Sequence, residues 1–294
     1  MSAVLVTGAT GFVAGYLIPA LAQTGRQVYA LGYDAARLER FSAHPGVQPV
    51  VADLRNRDLA GALPARLDAI VHLAQANTRL PAGAADLFEV NTASTQRLLD
   101  YARGARISRF VLASTGSVYG GGDRPWREDD PAEADDYYAA TKMAAERLVR
   151  AYGGDVPYTI FRLFAPYGPR QMAAHRRVPG LIERVRAGQP VTLREAGRPR
   201  INPLYVAHVV DVLRQSIDTT GNQLVNLAGD EALSVRDMAE IIGRVLGVAP
   251  VLENVPGPAG GDTVGDVTRL RQLYLLPERL TSFEEGVRAM VAAG

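Results

Sequence analysis

The chain has 294 residues, 47% of them hydrophobic, no cysteine, and 32 basic against 31 acidic side chains for a formal net charge of +1. That length buries a large core and predicts one large domain with a smaller one appended. The charge balance gives no field favouring nucleic acid or an anionic membrane, and the missing thiols exclude disulfides, thiolate metal sites and a cysteine nucleophile. A small-molecule substrate fits this composition best. Met1-Ser2-Ala3 leads into Val4-Leu5-Val6 with no basic stretch that would mark a signal peptide, and no apolar run approaches the roughly 20 residues of a membrane span. A soluble, cytoplasmic protein is expected.

Along residues 1–165, short apolar runs alternate with amphipathic stretches. The strand candidates are 4–6, 28–31, 47–51, 69–73, 109–113 and 158–161. They are mostly continuous apolar runs, not strict alternations, which suits strands covered on both faces. Helical patterns at 12–24, 35–42, 84–104 and 138–152 fall between them, so the rhythm predicts an α/β fold with a doubly wound parallel sheet and right-handed crossovers. After Phe164, prolines and glycines from Pro166 to Pro203 break the pattern into short pieces. A smaller substrate-binding domain over 166–294 is expected, with parts of 200–230 returning to the first domain. Ser234 before Asp237, and Ser282 before Glu285, read as capping boxes that start helices. The run 256–261 reads as a turn-rich, mobile loop at the mouth of a cleft.

Thr7-Gly8-Ala9-Thr10-Gly11-Phe12-Val13-Ala14-Gly15 follows the first strand and opens the first helix, the context that a glycine-rich phosphate loop requires. Gly8 allows the tight turn and Gly11 lets the backbone approach a pyrophosphate. Phe12 and Val13 begin a helix whose N–H groups and dipole favour an anion. The pattern predicts a Rossmann-type dinucleotide-binding domain over 1–165.

This spacing, with Ala14 where a third glycine can stand, resembles the extended short-chain dehydrogenase/reductase superfamily, in particular its NAD-dependent epimerase/dehydratase family. The resemblance implies that Asp53, in Val51-Ala52-Asp53-Leu54, contacts the adenine ring, with Leu54 beside it. It implies that Leu73 and Ala74, after His72, lie beside the cofactor ribose, and that Asn91 matches the family's asparagine at the start of the next long helix. Where strand two ends, the sequence reads Leu31-Gly32-Tyr33-Asp34. The carboxylate that takes the ribose hydroxyls of NAD is missing there, and Tyr33 replaces the arginine common in NADP binders. An unpaired 2′-phosphate costs more than an unmade hydroxyl bond, so NAD is favoured over NADP beside Gly32 and Tyr33. Asp34 supports that preference, and Arg37 reverses it if it reaches the phosphate.

Lys142 is the only lysine; the other 31 basic residues are arginine. A compact ammonium with an adjustable pKa can serve beside a phenol or a ribose where a guanidinium cannot. In Tyr138-Ala139-Ala140-Thr141-Lys142 the phenol lies one turn away on the same helix face, whereas Tyr137 has Thr141 at that offset. A phenol of pKa about 10 acts as acid or base at neutral pH only where cations favour the phenolate; Lys142 and a positively charged nicotinamide would supply them. Residues 111–120 resemble the family segment that provides a third member. By its spacing from Tyr119-Gly120, Thr115 is the hydroxyl that bonds the reacting carbonyl or carbinol oxygen, with Ser114 behind it on the substrate side. Tyr138 then takes the alcohol proton during hydride transfer and returns it in the reverse direction. Family dehydratases carry Asp-Glu after this threonine. Gly116 and Ser117 stand there instead, which disfavours 4,6-dehydration and leaves an epimerase or a ketoreductase.

Residues 161–171 resemble the loop that leads into the family's substrate domain, with Ala165 in place of an asparagine. Residues 197–206 resemble the segment whose arginine binds a nucleotide diphosphate. Arg200 and Arg170 are the substrate candidates, beside Arg176, Arg177 and Arg198, while the later arginine near Gly261-Asp262 is absent. The reading is an NAD(P)-dependent nucleotide-sugar epimerase acting through a transient keto intermediate. The alternatives are an NAD(P)H-dependent ketoreductase of a keto-sugar or other small carbonyl, and a catalytically silent dinucleotide-binding regulator. His44, His72, His175 and His208 show no metal-ligand spacing, and no metal is assigned; His208 reads as structural. The resemblance also implies a homodimer formed through the helices at 84–104 and 138–152.

Overall fold

A computed structural model describes residues 2–76, 78, 83–171 and 176–294. The apolar runs become strands and the periodic stretches helices: β1 (Ala3–Thr7), α1 (Phe12–Ala22), β2 (Gln27–Gly32), α2 (Ala35–Leu38, running on as a 3-10 turn), β3 (Val47–Val51), β4 (Ala69–His72), α3 (Ala84–Phe88), a π-helical turn (Glu89–Ala93), α4 (Ser94–Ala105), β5 (Arg109–Thr115), α5 (Tyr137–Ala151) and β6 (Tyr158–Leu163). The chain continues through β7 (Pro166–Tyr167), α6 (Arg177–Arg186), β8 (Val191–Leu193), β9 (Leu204–Tyr205), α7 (Val206–Ser216), β10 (Gln223–Leu227), α8 (Val235–Leu246), β11 (Leu252–Asn254), α9 (Thr268–Leu273) and α10 (Phe283–Ala293).

Seven strands form one sheet in the order β10-β6-β5-β4-β1-β2-β3. β1 lies parallel to β2 and β4, β2 to β3, and β4 to β5, which is the doubly wound arrangement expected. The winding reverses between β1 and β4, and in such sheets ligands bind beyond the carboxyl ends of the strands at the reversal. Thr7 and His72, which are register partners, end β1 and β4, and Thr115 ends β5. The segments that follow these three residues therefore emerge on one edge of the sheet.

The chain divides into two units, one of 1–118, 132–162 and 210–225, the other of 119–131, 163–209 and 226–294. In the first, Leu5, Leu31, Ile70, Phe110 and Ile160 from the strands pack with Leu98, Leu99, Ala145 and Val149 from α4 and α5. Each large aliphatic side chain so buried contributes about 1.5–3 kcal/mol. In the second, Val178 and Ile182 of α6, Met238 and Ile242 of α8, and Phe283 and Val287 of α10 gather with Tyr167. The capping boxes form as read: Ser234 with Asp237 starts α8, and Ser282 with Glu285 starts α10. Residues 119–131 join the second unit because Tyr119 stacks on Trp126 at 5.3 Å and Asn226 bonds both the Tyr119 hydroxyl and the Trp126 carbonyl. Among the described residues no helix is long and apolar enough to cross a membrane.

Candidate active site

Between β1 and α1, Gly8 has φ +69, and a side chain there would meet the Ala74 backbone at 2.7 Å; one on Gly11 would stand 3.0 Å from the Gly8 carbonyl oxygen. Gly8 therefore admits no side chain, and Gly11 leaves little room for one. Gly11 is the N-cap of α1, and no side chain caps that end. The first-turn N–H groups at Phe12 and Val13 thus take no bond from the N-cap side chain, and the chemistry of such a helix start suits an anion such as a pyrophosphate.

Gly32 ends β2 against Thr10 and Leu38, and Tyr33 is 70% exposed. Asp34 caps α2 by accepting from the Arg37 N–H at 3.2 Å. Arg37 donates to the Thr10 carbonyl at 3.0 Å and Arg40 to the Ala9 carbonyl at 2.6 Å. Both guanidinium groups are thus drawn onto the loop between β1 and α1; burial, and then repulsion from Arg37, lower the Arg40 pKa. After β3, the Asp53 carboxylate is bonded by the Arg55 guanidinium at 2.7 Å, which holds it below the usual carboxylate range. Leu54 is buried beside it in sequence.

Asp136 caps α5 by accepting from the Ala139 N–H at 2.7 Å. From that start Tyr138, Lys142 and Glu146 recur every four residues along one face. Tyr138 is half-buried and donates its hydroxyl to Gln75 Oε1 at 2.7 Å. Lys142 is only 1% exposed. Burial pulls its ammonium down to about 8, and the charge of Glu146 opposes that fall. Glu146 accepts from Arg162 Nε and Nη2 at 3.0 and 2.7 Å and from the Ser114 hydroxyl at 2.5 Å. This buried carboxylate is therefore paired and hydrogen-bonded on both oxygens, as burial of a charge requires. Ser114, expected on the substrate side, ties the end of β5 to α5 through its bond to Glu146. Thr115 next to it bonds within its own turn, accepting from the Ser117 N–H and donating to Ser117 Oγ, both at 3.2 Å.

The segment after β4 is clamped. The Ala74 N–H donates to the Thr7 hydroxyl at 3.3 Å, and the Ala76 N–H donates to Asn91 Oδ1 at 2.9 Å. Asn91 Nδ2 in turn donates to the Ala76 carbonyl and to the Thr141 hydroxyl, at 3.3 and 3.1 Å. Asn91 lies in the π-helical turn that splits the one long helix expected over 84–104 into α3 and α4. The turn brings two buried polar side chains, Asn91 and Thr92, to partners on α5; such bulges are frequent at functional sites. Leu73 precedes this clamp. His72 is buried between the Thr7 and Thr95 hydroxyls at 2.7 and 3.2 Å, and burial, then the Lys142 charge, lower its pKa to about 3. It is a neutral strut at any working pH.

Of the residues not singled out from sequence, Glu146 carried a signal, the repeated four-residue spacing from Tyr138 and Lys142. Gln75 carried none, because its partner lies 63 positions away. Among the described residues no group of three metal-ligating side chains occurs; His175 lies outside them. His208 Nε2 accepts from the Thr281 N–H at 2.9 Å, a structural contact.

In the second unit Asp262 is fully buried. Its carboxylate accepts from the Arg200 N–H and Nε, both at 2.8 Å, and from Arg198 Nε at 3.2 Å. Burial alone would raise its pKa, but the bonds from Arg200 and Arg198 outweigh burial and leave it lowered. Arg200 therefore extends from a buried anchor with about half its side chain exposed. Arg170 is exposed and, like Ala165, has a positive φ.

A family model described as the NAD dependent epimerase/dehydratase family matches residues 4–228. The chain is 33% identical to the low-salt glycan biosynthesis protein Agl12 of Haloferax volcanii, over 98% of this chain and 97% of that protein. It is 28% identical to the uncharacterized UDP-glucose epimerase YtcB of Bacillus subtilis, over 98% and 96%. Among solved structures it resembles MoeE5 in complex with UDP-glucuronic acid and NAD, with a TM-score of 0.87, 26% identity and coverage of 99% and 98%.

Proposed function

The chain belongs to the NAD-dependent epimerase/dehydratase family, and from that premise we propose that it is a nucleotide-sugar epimerase. A bound nicotinamide dinucleotide supplies the acceptor and donor of the hydride. The chain's own residues handle the proton and the geometry. Tyr138 takes the proton of the substrate carbinol and gives it back after the ring has turned, and Thr115 donates a hydrogen bond to the same oxygen. Lys142, one turn further along α5, favours the phenolate while the proton is on loan. At Gly116 and Ser117 there is no acid or base to remove water, so the lent proton has no second use and epimerisation is favoured over dehydration.

The observation that carries this reading is the Tyr138–Lys142 turn of α5, in the same unit as the bare Gly8–Gly11 loop, with Asn91 bonded to both Ala76 and Thr141. Gly8, Gly11, Phe12 and Val13 would hold the pyrophosphate, Asp53 and Leu54 the adenine, and Leu73, Ala74 and Lys142 the ribose of the nicotinamide half. NAD is favoured over NADP because Arg37 and Arg40 would have to leave the Thr10 and Ala9 carbonyls to meet a 2′-phosphate beside Gly32 and Tyr33. On the substrate side, Arg200, steadied by Asp262, would meet the diphosphate with Arg170. A uridine diphosphate sugar is the first substrate to test, given the ligand of the solved relative.

Tyr138→Phe is expected to lower turnover by roughly 10²–10⁴-fold while calorimetry finds dinucleotide binding unchanged. Undiminished turnover would remove Tyr138 from the reaction. Mass spectrometry of what the purified protein releases on denaturation separates the two oxidoreductive readings. Retained NAD marks a cofactor recycled within one turnover, and so an epimerase; an empty protein that binds NADPH or NADH reversibly marks a ketoreductase.

A further inference from the structure

We propose that Gln75 is the positioning residue of the Tyr138 phenol, holding its oxygen in both protonation states without itself exchanging a proton. The proposal rests on Tyr138 being the acid–base group. The two side chains meet at 2.7 Å. Contacts between partly exposed polar side chains are often casual, but here the backbone on both sides is constrained. Residue 75 stands between two clamps, the Ala74 N–H on the Thr7 hydroxyl and the Ala76 N–H and carbonyl on the Asn91 amide. The same Asn91 amide reaches the Thr141 hydroxyl, which donates to the Tyr138 carbonyl at 2.8 Å. The chain segments bearing Gln75 and Tyr138 are thus joined through buried polar bonds before their own side chains touch.

The chemistry of an amide suits the place. Its Oε1 accepts from the neutral phenol, and after rotation of the terminal amide its Nε2–H donates to the phenolate. A carboxylate there would trap the proton on the phenol, and an ammonium would trap the phenolate. Among the described residues, the charged groups on the elements packed around this turn include Lys142, Glu146 and the cap Asp136 on α5 itself, Arg109 on β5, Arg97 on α4, and Asp86 and Glu89 on α3 and the π turn. The last two are paired with Arg55 and Arg97.

The test replaces the amide by each charge in the full-length, dinucleotide-free protein and follows phenolate absorbance against pH. The chain has 12 tyrosines, so each variant is read against the same variant carrying Tyr138→Phe, which isolates the one phenol. Gln75→Glu is expected to raise the Tyr138 midpoint, and Gln75→Lys to lower it, each by about one pH unit or more, as charges in contact do. Midpoints that stay within a few tenths of the unsubstituted protein in both variants would overturn the proposal. Position 75 is exposed, and the melting temperature of each variant verifies that it is folded. The titration needs neither substrate nor cofactor. Unmoved midpoints refute the positioning role and leave the epimerase reading standing, whereas an active Tyr138→Phe refutes the acid–base reading whatever the midpoints do.

Discussion

A buried ammonium needs a counter-charge, and for Lys142 that support is Glu146, itself neutralised by Arg162. Burial lowers the Lys142 pKa from 10.5 to about 8. Because the folded value lies below the unfolded one, the unfolded chain binds more protons between those two values, and stability rises as pH increases across that window. Turnover should run the other way, falling as pH passes about 8 and the cation that favours the phenolate is lost. Lys142→Met removes the buried charge and should stabilise the dinucleotide-free protein at pH 7 by an amount on the order of 3 kcal/mol, while abolishing turnover. The gain should shrink towards pH 10.5. Denaturant unfolding at the two pH values decides it: a variant less stable than its parent at pH 7 would mean that the ammonium is not paying a burial cost. The unusual Lys142 was legible from composition alone. That its ion-paired neighbour also takes the Ser114 hydroxyl was not, since Ser114, Glu146 and Arg162 come from β5, α5 and β6 and no spacing links them.

At the scale of elements, the strands and long helices follow from apolar period and from caps. Ser234 shows how local that information is, because its side chain and that of Asp237 satisfy each other's backbone N–H groups within four residues. Ser234→Ala should cost about 1 kcal/mol of stability, read as a lowered unfolding midpoint with an unchanged denaturant slope. An unaltered midpoint would show that packing of Met238 and Ile242 sets the start of α8 without its cap. The π-helical turn at Glu89–Ala93 had no such signature. A sequence that scans as one amphipathic helix is interrupted because Asn91 and Thr92 must find polar partners on α5, and those partners exist only once α5 is docked.

For the whole molecule, the assembly proposed is a dimer through α3, α4 and α5. Phe88 on α3 and Tyr137 at the start of α5 are 48% and 38% exposed, large apolar side chains whose cover by a second copy would bury them. Light scattering should give twice the chain mass, and Phe88→Asp should shift the protein towards monomer, since an uncompensated charge in an apolar contact is strongly unfavourable. A single chain mass for the unsubstituted protein at micromolar concentration would exclude this assembly.

What the sequence by itself determined was everything encoded in short-range spacing. This covers the parallel sheet from its apolar runs, the bare Gly8–Gly11 loop from its position between strand and helix, the Tyr138–Lys142 turn from a four-residue offset, and the two capping boxes. Only the tertiary structure decided that Gln75 meets Tyr138, that Ser114 serves Glu146, and that Arg37 and Arg40 lie on loop carbonyls. It also decided that 119–131 belongs with the second unit. Each of those outcomes is a polar or aromatic group finding its partner across the fold. Such groups must be satisfied once buried, but which partner satisfies them depends on the packing of whole elements and leaves no mark in the local pattern.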